Sequence, residues 1–250
     1  MSARCLREVA VVLAAHGDRG GEAPNATLLA HRDALVATGL FRNVTAGALR
    51  AENLPLEEAL QHAHASGATR IAVYPMFMAD GYFTGKVLPE RIAAAGLTDS
   101  CTLLPPLGLD PQLPKLMMSY ALAMAGQTEL TPAHTRLLIV GHGSKIGRAS
   151  LRSTERVACK IRKMQQFSYV ETAYLEETPF LGEQLKSSPL TTLVIGFFSG
   201  DGLHAAEDVP GAIAEAEADA HYAGPVGRHP QIAGIIEAAV RAGVAAVQPA

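Results

Sequence analysis

Short apolar runs rich in β-branched residues alternate along the chain with stretches of helical period, as in Val170 to Leu175, Phe180 to Lys186 and Thr191 to Phe198. This alternation is the sequence form of βαβ units, which pair their strands in parallel and cover both sheet faces with helices. It predicts strands at 8–15, 43–49, 70–78 and 100–104, and again at 135–141, 169–175, 191–198 and 219–223. Helices are predicted over 25–38, 56–66, 111–126, 149–166 and 230–246. The fold class is therefore α/β: two tandem doubly wound domains related by a pseudo-twofold, each a parallel sheet of roughly four strands flanked by helices. Gly126-Gln127-Thr128-Glu129-Leu130-Thr131-Pro132 is polar and carries Gly and Pro, as an interdomain linker would.

The pattern is also a duplication. Val9 to Ala15 runs into His16-Gly17-Asp18-Arg19 as Leu137 to Val140 runs into Gly141-His142-Gly143-Ser144-Lys145. Thr45 to Glu52 followed by Pro55 matches Thr172 to Glu177 followed by Pro179, which sets Glu52 opposite Glu176. Phe77-Met78-Ala79-Asp80-Gly81-Tyr82-Phe83 with Pro89 matches Phe198-Ser199-Gly200-Asp201-Gly202-Leu203-His204 with Pro210. Pro106 to Gln112 matches Pro225 to Gln231. The offset is 126 residues at the histidines and 124 at Pro55 and Pro179, and four matched segments in one order mark an internal repeat. The repeats divide the chain into 1–127 and 128–250. Where the second copy has His204, the first has Phe83.

Composition narrows the classes. At 250 residues the chain can hold two modest cores. A net charge of −3, with Lys and Arg scattered, gives no footprint for nucleic acid. Cys5, Cys101 and Cys159 are widely spaced with no Cys-x-x-Cys, which suggests neither a disulfide framework nor a thiolate cage and suits a reducing cytoplasm. The apolar run after Arg7 is too short to span a membrane and lacks a cleavage pattern, so it reads as a buried strand of a soluble, unprocessed protein.

In open parallel sheets the ligand crevice lies beyond the carboxyl ends of the strands. His16, His142 and Glu176 fall at or just after such ends, and the Gly-bearing loop after Phe198 can fold His204 back over the same crevice. His142, His204 and Glu176 supply two imidazoles and a carboxylate, a competent set for Co²⁺, Ni²⁺ or Fe²⁺ with positions left open; the ligand types do not select among these metals. Asp201, Glu207 and Asp208 are placed to orient the His204 ring, although a solvated loop accounts for Glu207 equally well. Gly-His-Gly-Ser-Lys lacks phosphate-loop spacing. His62 and His64, two apart on a helical stretch, face different ways, and the methionines read as core filling.

The tandem strand-(Gly)-His-Gly, Leu-Glu-x-x-Pro and Phe-x-x-Gly-Asp-x-x-His-x-x-x-Asp-x-Pro segments resemble the class II tetrapyrrole chelatases, specifically the sirohydrochlorin cobaltochelatase/ferrochelatase family of CbiX type. The resemblance covers nearly the whole chain and is to the long form, which fuses two units where short members pair as homodimers. It implies insertion of a divalent metal into a metal-free tetrapyrrole held between the lobes, with Co²⁺ for cobalamin as the leading reading and Fe²⁺ for siroheme, or Ni²⁺, as alternatives. It also implies that His142 and His204 are ligands and that Glu176 helps hold the metal or takes pyrrole protons. Metalation removes two N–H protons while the cation sheds water, which imidazoles beside a carboxylate can serve without an organic cofactor. The first copy departs from the pattern: His16 remains, Phe83 replaces the second histidine and Lys86 lies nearby, so the chemistry is expected in the second copy. A polycarboxylate substrate would meet Arg19, Arg50, Lys86, Lys145 and Arg148 after strand ends, with His16 either stacked near the macrocycle or preserving the hydrogen bonds of its loop, and the loop from Gly143 to Gly147 leads into a helix whose amino end attracts anions. The expected partner is the small-molecule tetrapyrrole alone, with neither nucleic acid nor membrane, and the assembly is a monomer of two fused units or a homodimer. A noncatalytic tetrapyrrole or metal carrier derived from a chelatase is the reading from another class.

Overall fold

Strands form where the β-branched runs stand. A computed structural model of the chain describes residues 6–18 and 24–246. In the first sheet β1 (Val9–Ala15), β2 (Asn43–Ala48), β3 (Arg70–Pro75) and β4 (Cys101–Leu103) lie in the order β2-β1-β3-β4. In the second, β5 (Arg136–Gly141), β6 (Tyr169–Tyr174), β7 (Thr192–Gly196) and β8 (Ala220–Pro225) repeat it as β6-β5-β7-β8. All the pairings are parallel. The chain therefore leaves β1 in one direction for β2 and returns past it to β3, which sets the topological switch point at the carboxyl ends of β1 and β3, and likewise of β5 and β7.

The helices are α1 (Ala26–Ala37), α2 (Leu56–Ala65), α3 (Leu88–Ala94), α4 (Leu113–Gln127), α5 (Ala149–Arg162), α6 (Leu181–Lys186), α7 (Val209–Ala216) and α8 (Ile232–Ala246). One face of the first sheet, with Ala10, Val12, Ile71 and Val73, buries Leu56 and Leu60 of α2 and Leu88 and Ile92 of α3. The matching face of the second packs Leu138, Val140 and Val194 against Leu181 and Leu185 of α6 and Val209 of α7. Removing such apolar area from water is the main force holding each sheet to its helices. Arg136, 1% exposed, ties the amino end of β5 to Thr192 Oγ1 at 3.0 Å, the Gln184 carbonyl at 2.9 Å and Glu171 at 3.2 Å.

The eight strands and five long helices follow the sequence expectation to within a few residues. The short helices α3 and α7 are additions to it. Pro89 and Pro210, matched in the repeat, each sit in the first α-helical turn, directly after a π-helical turn. The expected strands 70–78 and 191–198 end early, at Pro75 and Gly196.

By packing, the chain divides into two compact units, Met1–Asp110 with Pro230–Ala250, and Pro111–His229. Within the first, α8 lies on α1 and β3, and Arg70 donates to the Val244 carbonyl at 3.0 Å. Within the second, α4 lies on α5 and β7. The helix that closes each sequence repeat thus packs with the other repeat's sheet.

Candidate functional site

In the second unit the Gly-His-Gly turn sits at the end of the central strand. A Cβ on Gly141 would stand 2.5 Å from Thr154 Oγ1, so glycine lets α5 pack close there. Gly143 has φ +79°, which suits glycine, and its N–H donates to Ser150 Oγ at 3.1 Å. This fixes His142 between them. Beyond β6 the backbone runs on beside the histidine: Glu176 N–H donates to the His142 carbonyl at 3.0 Å. Glu176 Oε2 thereby comes 4.0 Å from His142 Nδ1, and Glu177 Oε1 accepts from Ser144 N–H at 3.0 Å.

His204 arrives from the neighbouring strand. After β7, Phe197 N–H still donates to the Val140 carbonyl at 2.7 Å, and the chain then leaves the sheet. Gly227 braces this loop by donating to the Phe198 carbonyl at 2.9 Å, so close that a Cβ there would lie 2.3 Å from the Ser199 carbonyl group. The loop ends in one π-helical turn, His204–Asp208, whose i→i+5 bond runs from Val209 N–H to the His204 carbonyl. Such turns recur at functional sites.

The two imidazoles meet with Nε2 atoms 2.8 Å apart, ring planes at 89° and ring centres 4.2 Å apart. Two nitrogens bound cis at about 2.1 Å to one octahedral ion stand about 3.0 Å apart, so the pair is spaced much as adjacent ligands would be. Their side chains are 41% and 42% exposed, so the pair is only half-buried. His142 Nδ1 is 3.0 Å from the Gly143 carbonyl, and His204 Nδ1 is 2.6 Å from Asp208 Oδ2. Glu176 approaches the Nδ1 edge of His142, and among the described residues no group of three or more His, Cys, Asp or Glu side chains is arranged to hold a metal ion. Burial pushes the Tyr174 hydroxyl, at the end of β6, up to about 12, so it stays neutral.

The first unit builds the same scaffold with other side chains. His16 Nδ1 is 3.2 Å from the Gly17 carbonyl, and Phe83 stands in the place of His204, its ring edge-on to His16 at 4.9 Å and 77°. Phe83 also opens a π-helical turn, Phe83–Val87, and Phe77 and Tyr82 flank its ring at 5.9 and 5.6 Å. Strand register corrects one sequence match. Leu13 pairs with Ala46 as Ile139 pairs with Thr172, and Arg50 N–H donates to the His16 carbonyl at 3.0 Å as Glu176 does to His142. Arg50, not Glu52, is thus the counterpart of Glu176. The cause is a connection one residue longer after β2 than after β6. Ala48 N–H donates to the Leu54 carbonyl at 2.8 Å as Tyr174 N–H does to the Pro179 carbonyl at 2.9 Å. Leu54 therefore takes the place of Pro179, and Pro55 that of Phe180, as the bridges from Ala48 to Pro55 and from Tyr174 to Phe180 record.

Of the cations expected to meet a polycarboxylate, Arg50, Lys86, Lys145 and Arg148 are exposed beyond strand ends, and Arg19 lies outside the described residues. Lys86 is 4.0 Å from Glu90 and 5.9 Å from the Tyr82 ring centre. The sequence reading missed Arg228, 3.5 Å from Asp201 in the loop that carries His204. Its place in the fourth matched segment, where the first copy has Leu109, was the available signal.

A parallel sheet in the order 2-1-3-4, built twice, with paired histidines at one switch point, is the architecture of the chelatase-like α/β proteins. The CbiX family model matches residues 10–121 and 136–242, and the chain belongs to that family in its long, two-unit form. It is 24% identical over 224 residues to the probable sirohydrochlorin cobaltochelatase of Halobacterium salinarum, covering 80% of this chain and 75% of that one. The structure of CbiX, the terminal enzyme for biosynthesis of siroheme in denitrifying bacteria, superimposes with a TM-score of 0.76 at 28% identity over 93% of this chain and 98% of that one. The sirohydrochlorin chelatase SirB from Bacillus subtilis subspecies spizizenii, in complex with cobalt, shares the fold with a TM-score of 0.73 at 20% identity over 96% of each chain.

Proposed function

We propose that this protein inserts a divalent metal, Co²⁺ in the first instance, into sirohydrochlorin, and that the second unit carries the chemistry. The observation behind this reading is the pair of imidazole nitrogens 2.8 Å apart at the switch point of β5 and β7, in a unit whose counterpart has an imidazole against a phenyl ring instead. His142 and His204 would take the incoming cation through Nε2 and leave its other positions to water and pyrrole nitrogen. Glu176, held beside His142, would accept the two protons that leave the pyrrole N–H groups one at a time, passing the first to water before taking the second. Each turnover exchanges one divalent cation for two protons and needs neither nucleotide nor redox partner.

The first unit reverses the charge at the matched positions. At matched positions it has Arg50 for Glu176 and Lys86 for Glu207, so acids that favour a cation give way to bases that favour carboxylates. His16 and Phe83 add aromatic surface. Lys145 and Arg148 supply further cations in the segment that follows His142. A reducing cytoplasm is the compartment this reading assigns, in keeping with the free thiols Cys101 and Cys159.

The test is anaerobic visible absorbance of sirohydrochlorin with Co²⁺, Fe²⁺ or Ni²⁺ in turn, with and without catalytic amounts of protein. Acceleration over many turnovers, fastest with Co²⁺, is expected. Faster insertion of Fe²⁺ or Ni²⁺ would keep the chelatase and change its metal; stoichiometric binding without acceleration would replace the enzyme with a carrier.

A further inference from the structure

The internal repeat provides a control inside one chain. His204 and Phe83 open equivalent π-helical turns, and the residues that close those turns are Asp208 and Val87. Where the imidazole is present, a carboxylate stands four residues on and holds its Nδ1 at 2.6 Å; where the imidazole has become a phenyl ring, the carboxylate has become an isopropyl group. The other histidine of each unit keeps its Nδ1 partner, a backbone carbonyl, at 3.0 Å in His142 and 3.2 Å in His16.

From this we infer that Asp208 is a positioning residue for metal capture. By accepting the Nδ1 proton of His204 it fixes the tautomer in which Nε2 carries the lone pair, and it fixes the ring plane that points this lone pair at His142 Nε2. The Gly143 carbonyl does the same for His142. The inference rests on the reading of His142 and His204 as metal ligands.

The competing role for Asp208 is electrostatic support of the amino end of α7. The first unit argues against it, since α3 forms at the same place with Val87 ahead of it. Val87 also indicates that the turn tolerates a β-branched apolar residue, so Asp208→Val is expected to fold.

The experiment titrates Co²⁺ alone into wild type, His204→Ala, Asp208→Val and Asp208→Asn, recording affinity, the visible Co²⁺ spectrum and thermal midpoint. Asp208→Val is expected to weaken Co²⁺ binding by roughly 10- to 100-fold and to alter the spectrum without lowering the thermal midpoint of the metal-free protein. Asp208→Asn, which keeps an oxygen acceptor, is expected to fall between that variant and wild type. Wild-type affinity and spectrum in Asp208→Val, with His204→Ala impaired, would overturn this inference alone. A lowered thermal midpoint with an unchanged Co²⁺ spectrum would do the same and assign Asp208 to the helix. Equal binding in wild type and His204→Ala would overturn both this inference and the metal-site reading beneath it.

Discussion

Two imidazoles brought within 2.8 Å through Nε2, with both Nδ1 atoms against oxygen acceptors, put two nitrogen donors at the spacing of adjacent ligands on one cation. The thiols offer a contrast. Burial raises Cys101 from 9.0 to about 11, whereas Cys159 is exposed on α5. Modification by N-ethylmaleimide near pH 8, followed by peptide mapping, should reach Cys159 at least about ten times faster than Cys101; equal rates would contradict the burial. The folded Cys101 thiol holds its proton more tightly than the unfolded one, so its contribution to stability is complete below about pH 9 and is lost as pH rises toward 11. Cys101→Ser should flatten the fall of the thermal midpoint over that interval. The sequence made His142 and His204 legible because both follow strand ends in matched copies. It misplaced the counterpart of Glu176, because a one-residue change in a connection is invisible until strand register is known.

At the scale of elements, the two glycines that let the loop after each third strand touch the segment after each fourth strand carry a specific cost. A Cβ on Gly108 would stand 1.9 Å from the Met78 carbonyl oxygen, and one on Gly227 2.3 Å from the Ser199 carbonyl group, both fixed backbone. Overpacking typically costs about 1–3 kcal/mol, and a backbone clash belongs at or above the top of that range. Gly108→Ala and Gly227→Ala should both lower stability by denaturant unfolding. Gly227→Ala should also slow metal insertion, because it displaces the loop that delivers His204, while Gly108→Ala acts on the loop of Phe83. Equal rates in the two variants would contradict that division. The strands and long helices were readable because period-2 and period-3.6 patterns survive over many residues. The π-helical turns and the helices α3 and α7 were not, because they occupy only five to eight residues each, too few for a periodic pattern.

For the whole molecule, repeat and compact unit are different divisions of the chain. The repeats run 1–127 and 128–250, whereas packing groups α4 with the second sheet and α8 with the first. Residues 111–229 expressed alone should therefore melt with a sharper cooperative transition than residues 128–250, followed by circular dichroism; the reverse would make the repeat the folding unit. The duplication was legible in sequence, but the exchange of closing helices was not, since nothing local in a helix states which sheet it covers. The division of labour between copies is read from the initial rate of metal insertion into sirohydrochlorin by His204→Ala and His16→Ala, side by side with wild type. The expected result is loss of about a hundredfold or more in His204→Ala, with its circular dichroism unchanged, and a much smaller loss in His16→Ala. A His204→Ala protein that retains its rate, or a His16→Ala protein that is the more damaged of the two, would contradict that division.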